Sequence, residues 1–179
     1  GLAEAQAEVG TEGVVALALP RRPYSDLLHE ILGWAEGLLL LNEPAVQEML
    51  ADLEGKLQAL TADVARLPGD VVLSPDNLDG QYISPRMYQR HLAASYQHTA
   101  ERLAAQGKSL VVHAGGPVRR LLGPLAEAGV AAVEGIAGPP QSDATLAEAR
   151  LAAGPGLTLW GGIAQDLLLD AHDWPAFEA

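Results

Sequence analysis

Hydrophobic and polar positions alternate along the chain in two periods, and the alternation between them predicts the fold class. Residues 1–9 are rich in Ala and Glu and read as helix. Residues 14–19 form a short apolar run that Pro20 ends, a buried strand. Ser25 and Asp26 read as the cap of a helix through Leu27, Leu28, Ile31 and Leu32, interrupted at Gly33 and Gly37. From residue 44 to 67 the apolar positions Val46, Met49, Leu50, Leu53, Leu57, Leu60 and Val64 recur at three and four, one face of a long helix. Pro68-Gly69 ends that helix, and Val71, Val72 and Leu73 begin a second strand.

The stretch from 71 to 88, VVLSPDNLDGQYISPRMY, organises the rest. Ser74-Pro75-Asp76-Asn77 is expected to break the strand into a polar loop, since Pro lacks an N–H and Asp and Asn bond their own backbone in turns. Ser84-Pro85 restarts a helix, with Ser at the N-cap and Pro at the first helical position. It runs through Met87, Leu92, Tyr96, Ala100 and Leu103 to Gly107. Residues 110–112 are the third strand, ending at His113. Pro117 starts a helix to about Ala128. Residues 130–136 are the fourth strand and carry Glu134. Ser142 or Asp143 caps a helix to about Ala152, and residues 157–160 are the fifth strand before Gly161-Gly162. Asp173-Trp174-Pro175 reads as one more helix cap.

Strand and helix thus alternate with short Gly/Pro turns, the pattern of an α/β protein with a parallel sheet and helical crossovers. The strands are near-continuous apolar runs, as expected when both faces are covered. An open doubly wound sheet accommodates five strands, whereas a closed (β/α)8 barrel needs eight strands and roughly 250 residues. Pattern alone leaves both open. The chain reads as one domain, residues 1–179, with ends that look truncated.

Composition narrows the function. Hydrophobic residues make up 49% and charged residues 19% of the chain, enough for a packed core. Apolar runs such as residues 14–19 and 38–41 are far shorter than a membrane span needs, so no membrane span and no membrane partner are expected. The net charge of −12 and the 4% of aromatic residues argue against a nucleic-acid partner. The lack of cysteine excludes disulfides and thiolate metal sites and fits a cytoplasmic protein.

Each strand ends in chemistry. Arg21 and Arg22 follow the first, Asp76, Asn77 and Asp79 the second, His113 closes the third, Glu134 lies late in the fourth, and Gly161 and Gly162 follow the fifth. In a parallel sheet these ends share one side, where α/β proteins keep their sites. The alternative is that polar residues merely flank strands. Arg21 and Arg22 read either as an anion-binding pair or as a solvated loop pair. Arg119 and Arg120 read as a solvated helix face, although the N–H groups at that helix start are able to bind an anion. Tyr88 and Trp160 read as packing residues. His91 and His98 share a helix face, surface or interface, and His29 and His172 carry no signal.

Three segments carry a resemblance. DNLDGQYISPRMY resembles the D-x-x-G…S-P-x-x-Y segment of the uroporphyrinogen decarboxylase family. VVHAGGPVRRLLGPLAEAGVAAVEGI is similar to that family's H-x-x-G stretch, and LTLWGGI to its glycine turn after a strand. The order and spacing agree over most of residues 13–163. Pro139-Pro140 with Asp143 is similar to a loop of family members of unassigned activity, where it shapes the rim and caps a helix.

The resemblance implies a (β/α)8 TIM-barrel type fold with about five of the eight β/α units in this chain. It implies an enzyme acting on a porphyrinogen or another carboxylated small molecule at the strand carboxyl ends, without metal or cofactor. A homodimer is kept open. Carried over residue by residue, it makes Asp76, Asn77 and His113 the catalytic candidates. Arg21, Arg22, Asp79, Tyr82, Glu134, Gly161 and Gly162 are the substrate-binding candidates. Asn77 stands where the decarboxylases have a substrate-contacting Ser.

His113 matches the His of a His-x-Cys zinc pair in the methyltransferase branch, but its partner position is Gly115. A corrinoid-linked methyltransferase without that zinc site is the second reading. His113, Glu134 and Asp76 are the alternative metal-ligand set. A non-catalytic barrel segment that needs a partner chain is the third reading.

Overall fold

A computed structural model describes residues 1–165. The expected cap at Asp173-Trp174-Pro175, and His172, lie outside the described residues. Five strands, β1 (Ala16–Ala18), β2 (Val71–Leu78), β3 (Ser109–Ala114), β4 (Ala132–Ile136) and β5 (Thr158–Gly161), form one parallel sheet in sequential order. Eight helices are described: α1 (Leu2–Val9), α2 (Pro23–Asp26), α3 (Gly33–Leu40), α4 (Pro44–Val64), α5 (Pro85–His91), α6 (Ala93–Ala104), α7 (Arg119–Glu127) and α8 (Leu146–Ala153). A π-helical turn, Leu27–Ile31, joins α2 to α3.

The strand order bears on the doubly wound sheet that pattern left open. Right-handed crossovers taken always in one direction put the connecting helices on the same face. A doubly wound sheet instead reverses its order partway. The order β1-β2-β3-β4-β5 has no reversal, so the sheet is singly wound.

That arrangement gives the sheet an inner and an outer side, and β2 displays both. Val72, Ser74, Asp76 and Leu78 are buried, while Val71, Leu73, Pro75 and Asn77 between them are only half-buried. Alternate side chains of a strand point to opposite faces, so the buried set faces the helices. There Val72, Leu110, Val112 and Val133 belong to one core with Leu92, Tyr96, Leu103, Leu121 and Leu125. Each such side chain contributes about 1.5–3 kcal/mol by leaving water. Truncating one, Leu103→Ala for example, costs about 2–5 kcal/mol. The other face is the more open one: Ala16, Ala18, Ser109, Thr158 and Trp160 on it are exposed.

Several boundaries differ from expectation. β2 does not end at Leu73 but runs through Pro75 to Leu78. Its ladder with β1 stops at Ala18–Leu73, and its register with β3 slips between Ser74 and Leu78. Pro75 therefore sits where its missing N–H breaks no regular ladder. The helix after Ser84 is two helices, divided at buried Leu92 (φ −124°), and nothing in the sequence there signals the break. Gly33 (φ +75°) does interrupt its helix, but Gly37 continues α3. It is Gly because a Cβ there would stand 2.7 Å from Leu28 Cδ2. Ser84 caps α5 as expected, accepting from Met87 N at 3.2 Å. α8 is capped by Thr145 rather than by Ser142 or Asp143. Trp160 is not a packing residue: it is 56% exposed on edge strand β5. Tyr88 is fully buried, its hydroxyl donating to Pro124 O at 3.3 Å.

Candidate functional site

The period of two in β2 separates the two residues expected to act together. Asp76 faces the helices and is fully buried. Its Oδ1 accepts from Arg22 N at 2.6 Å, and its Oδ2 accepts from Ser74 Oγ at 2.7 Å and Tyr96 Oη at 2.6 Å. Arg22 is equally buried, its Nε 3.5 Å from Asp76 Oδ2 and its guanidinium 3.9 Å over the Tyr96 ring. Arg22 Nη1 donates to Ser95 Oγ at 2.5 Å and Thr99 Oγ1 at 3.2 Å. Burial, with Asp76 adding to it, pushes the Tyr96 hydroxyl well above the usual tyrosine range. A charge this deep is tolerated only when paired and hydrogen-bonded. Asp76 is therefore not a catalytic residue in reach of a ligand, and Arg22 is not a substrate-binding one. Together they brace β1 and β2 against α6.

Asn77, one residue on, takes the opposite side. It has a left-handed backbone (φ +52°), rare outside Gly but tolerated by Asn. It lies in the register slip of β2, a place where strands re-aim side chains at functional sites. Gly115 and Gly116, just past β3, make room for this loop. A Cβ on Gly115 would collide with Asn77 Oδ1, and one on Gly116 would stand 2.6 Å from Asp79 Oδ2.

His113 and Glu134 are direct register partners on β3 and β4. His113 Nδ1 lies 2.5 Å from Glu134 Oε2, with the two side chains 36% and 33% exposed. A carboxylate only accepts, so Nδ1 carries the proton of this bond. A partner at one ring nitrogen fixes the tautomer and orientation and leaves Nε2 for other chemistry. His113 and Asn77 line one cavity of about 230 Å³ together with Gly115, Gly116, Gln141 and Ser142. Gln141 Oε1 accepts from Gln165 N at 2.7 Å.

The remaining expected residues fall around this cavity rather than in it. Arg21 pairs with Glu30 at 2.8 Å and reaches Pro75 O at 3.4 Å. Asp79 Oδ1 accepts from Gln81 N at 2.7 Å, a local turn. Tyr82 is 47% exposed and stacks on Trp34, centroids 4.4 Å apart. Gly161 and Gly162 do not line the cavity, and Gly162 N–H donates to Ile136 O at 2.5 Å. The helix start at α7 already has its anion: Asp143 Oδ1 accepts from Val118 N at 3.0 Å and Arg119 N at 3.1 Å. Arg119 and Arg120 are exposed, as a solvated helix face should be.

Asp76 does not join His113 and Glu134 as a metal ligand, and no group of three or more His, Cys, Asp or Glu side chains gathers among the described residues. No described helix is long and apolar enough to cross a membrane. A depression of about 560 Å³ lies between α4 and α6 beside Arg66, His98 and Arg102, away from the strand ends. His91 is not level with His98 on one helix. It ends α5 and stacks on Tyr24 at 4.9 Å.

Gln141 and Ser142 are the site residues that sequence reasoning passed over, reading that loop as a rim and a helix cap. The signal was their place, in the loop directly after β4, one strand on from His113. Comparison with protein-family models, with curated proteins and with solved structures gave no match to this chain.

Proposed function

We propose that this chain carries the acid–base site of a uroporphyrinogen decarboxylase-like lyase acting on a small carboxylated compound at the strand carboxyl ends of a (β/α) barrel. The observation that carries the reading is the His113–Glu134 pair beside a cavity shared with Asn77. The singly wound sheet is compatible with a barrel of which this chain supplies five strands.

In the proposed reaction the bond from the substrate carbon to its carboxylate breaks and CO2 leaves. The electron pair stays on that carbon, drawn by an electron-withdrawing group of the substrate. His113, having taken a second proton from solvent at Nε2, then gives that proton to the carbon and returns to the neutral ring, with Glu134 holding Nδ1–H throughout. Asn77 orients the substrate with its amide. Of the two substrate classes the resemblance implies, size favours the smaller. A cavity of about 230 Å³ falls below the roughly 300–1,000 Å³ that drug-sized ligands occupy. A tetrapyrrole is at least that large.

The zinc-type methyl-transfer reading finds no support, because the Asn77 amide occupies the room a side chain at position 115 would need. The reading as a segment needing a partner chain has one observation in its favour. Val14, Trp160 and Ile163, on or beside the two edge strands, are 72%, 56% and 59% exposed. Sedimentation of the purified chain tests it, since association through these edges raises the mass above 18.7 kDa.

The catalytic reading is tested with small oxo-acids labelled with ¹³C at the carboxylate, followed for labelled bicarbonate. Release by the protein and its loss in His113→Gln are expected. No release, or equal release by His113→Gln, contradicts the proposal.

A further inference from the structure

The charges around the cavity say what kind of molecule it takes. All 11 lysines and arginines of the chain fall among the described residues, and none lines the cavity. The two that follow β1 are committed elsewhere: Arg21 to Glu30, and Arg22, fully buried, to Asp76. Lys108 caps Leu67 O at 2.6 Å, and Gly69 O, at the amino end of β3, the far end of the sheet. Arg119 lies 3.7 Å from Glu148. The helix start beside the cavity is taken by Asp143. The charged side chains fixed beside the site are carboxylates, Glu134 on His113 and Asp143 on the helix start, in a chain of net charge −12.

What the cavity offers instead is uncharged. The Asn77 amide, the Gln141 NH2 and the Ser142 hydroxyl line it, and none of the three makes another hydrogen bond among the described residues. Ser142 is only 9% exposed as a residue. These groups are open to solvent, and a ligand rich in hydroxyl and carbonyl groups replaces their bonds to water with bonds of its own. A second carboxylate would enter with no lysine or arginine to offset its desolvation and with Glu134 to repel it.

We infer that this cavity selects a compact hydroxylated compound carrying no more than one carboxylate, held by neutral hydrogen bonds from Asn77, Gln141 and Ser142. The inference rests on the reading of the strand-end cavity as the substrate site. It excludes di- and tricarboxylates of the same size, which a uroporphyrinogen decarboxylase-like ancestry would otherwise suggest.

Three probes of similar size separate the possibilities: lactamide (neutral), lactate (one carboxylate) and malonate (two). Each is titrated into the full chain while the side-chain amide signals of Asn77 and Gln141 and the ring of His113 are followed by NMR. Lactamide and lactate are expected to shift these signals saturably, malonate at least tenfold more weakly. Gln141→Ala and Ser142→Ala are each expected to weaken lactamide binding roughly three- to tenfold, with thermal unfolding confirming that both variants fold. Malonate binding as tightly as lactate overturns the selectivity and leaves the site standing. Unchanged lactamide affinity in both variants overturns the assignment of the donors. If no probe moves the cavity signals, the cavity is not the substrate site and both readings fall.

Discussion

His113 and Glu134 face each other across β3 and β4 with Nδ1 2.5 Å from Oε2, the shortest route by which this sheet couples an imidazole to a carboxylate. Their roles differ, and so do the expected losses. His113→Gln removes the proton carrier and lowers kcat by about 10²–10⁴-fold. Glu134→Ala leaves the carrier but not its orientation, and lowers kcat by about 10–100-fold. Steady-state decarboxylation of a small oxo-acid measures both. Equal losses would remove the distinction between carrier and brace.

Arg22 and Asp76 are a structural pair, and stability rather than turnover reports on them. Removing one member of a buried, hydrogen-bonded pair strands the other charge, at about 3–5 kcal/mol. Arg22→Met and Asp76→Ala are each expected to lose that much in urea denaturation. A loss under about 1 kcal/mol would show that the pair is open to water and available to a ligand.

Gly115 keeps its place for the sake of Asn77. Gly115→Ala puts a Cβ against Asn77 Oδ1, at about 1–3 kcal/mol of overpacking. It is also expected to weaken binding of any cavity ligand, because the amide must move aside. Thermal unfolding and ligand titration on the same variant check this. Unchanged stability with unchanged binding contradicts the packing described.

The pH dependence of stability has two limbs. Burial holds the His29 and His91 imidazoles below their usual range, with Arg21 adding at His29 and Arg90 at His91. The unfolded chain then binds more protons than the folded one near and below pH ~6.5, so stability falls as pH drops through that range. At the other end burial pushes the Tyr24 hydroxyl from 10.0 to about 12. Its contribution is full below pH ~10 and is lost as pH rises from there to about 12. The urea midpoint, measured from pH 5 to 11, is expected to plateau between these limbs. A midpoint unchanged from pH 7 to pH 5 contradicts the acid limb.

Much of the fold was legible because its signals are local. The 3.6 period of α4, the Ser84-Pro85 start of α5 and the apolar runs of β3 and β4 all lie where the pattern puts them. The site was half legible. Asn77, His113 and Glu134 gather as the strand ends imply. Asp76 was misplaced because which side of a strand a residue faces depends on where the strand stops, and Arg22, at the start of α2, is held inside by Asp76. With β2 ended at Leu73, Asp76 falls in an open loop; with β2 run on to Leu78, it points into the helices. The pairing that holds β2 extended past Pro75 is a relation between strands, and the local sequence does not carry it. Gln141 and Ser142 were hidden for the opposite reason. The loop looked like a cap, and Thr145 with Glu148 three residues on is the stronger capping box.

The most direct test of the acid–base site is the nitrogen spectrum of the His113 ring, recorded by long-range ¹H–¹⁵N correlation on the wild-type chain and on Glu134→Ala. A pair that works as described keeps the proton on Nδ1 in the wild type and leaves Nε2 the free nitrogen of the neutral ring. Glu134→Ala then loses that preference. A neutral wild-type ring protonated at Nε2 in place of Nδ1, or a tautomer indifferent to the loss of Glu134, would contradict the proposed acid–base pair.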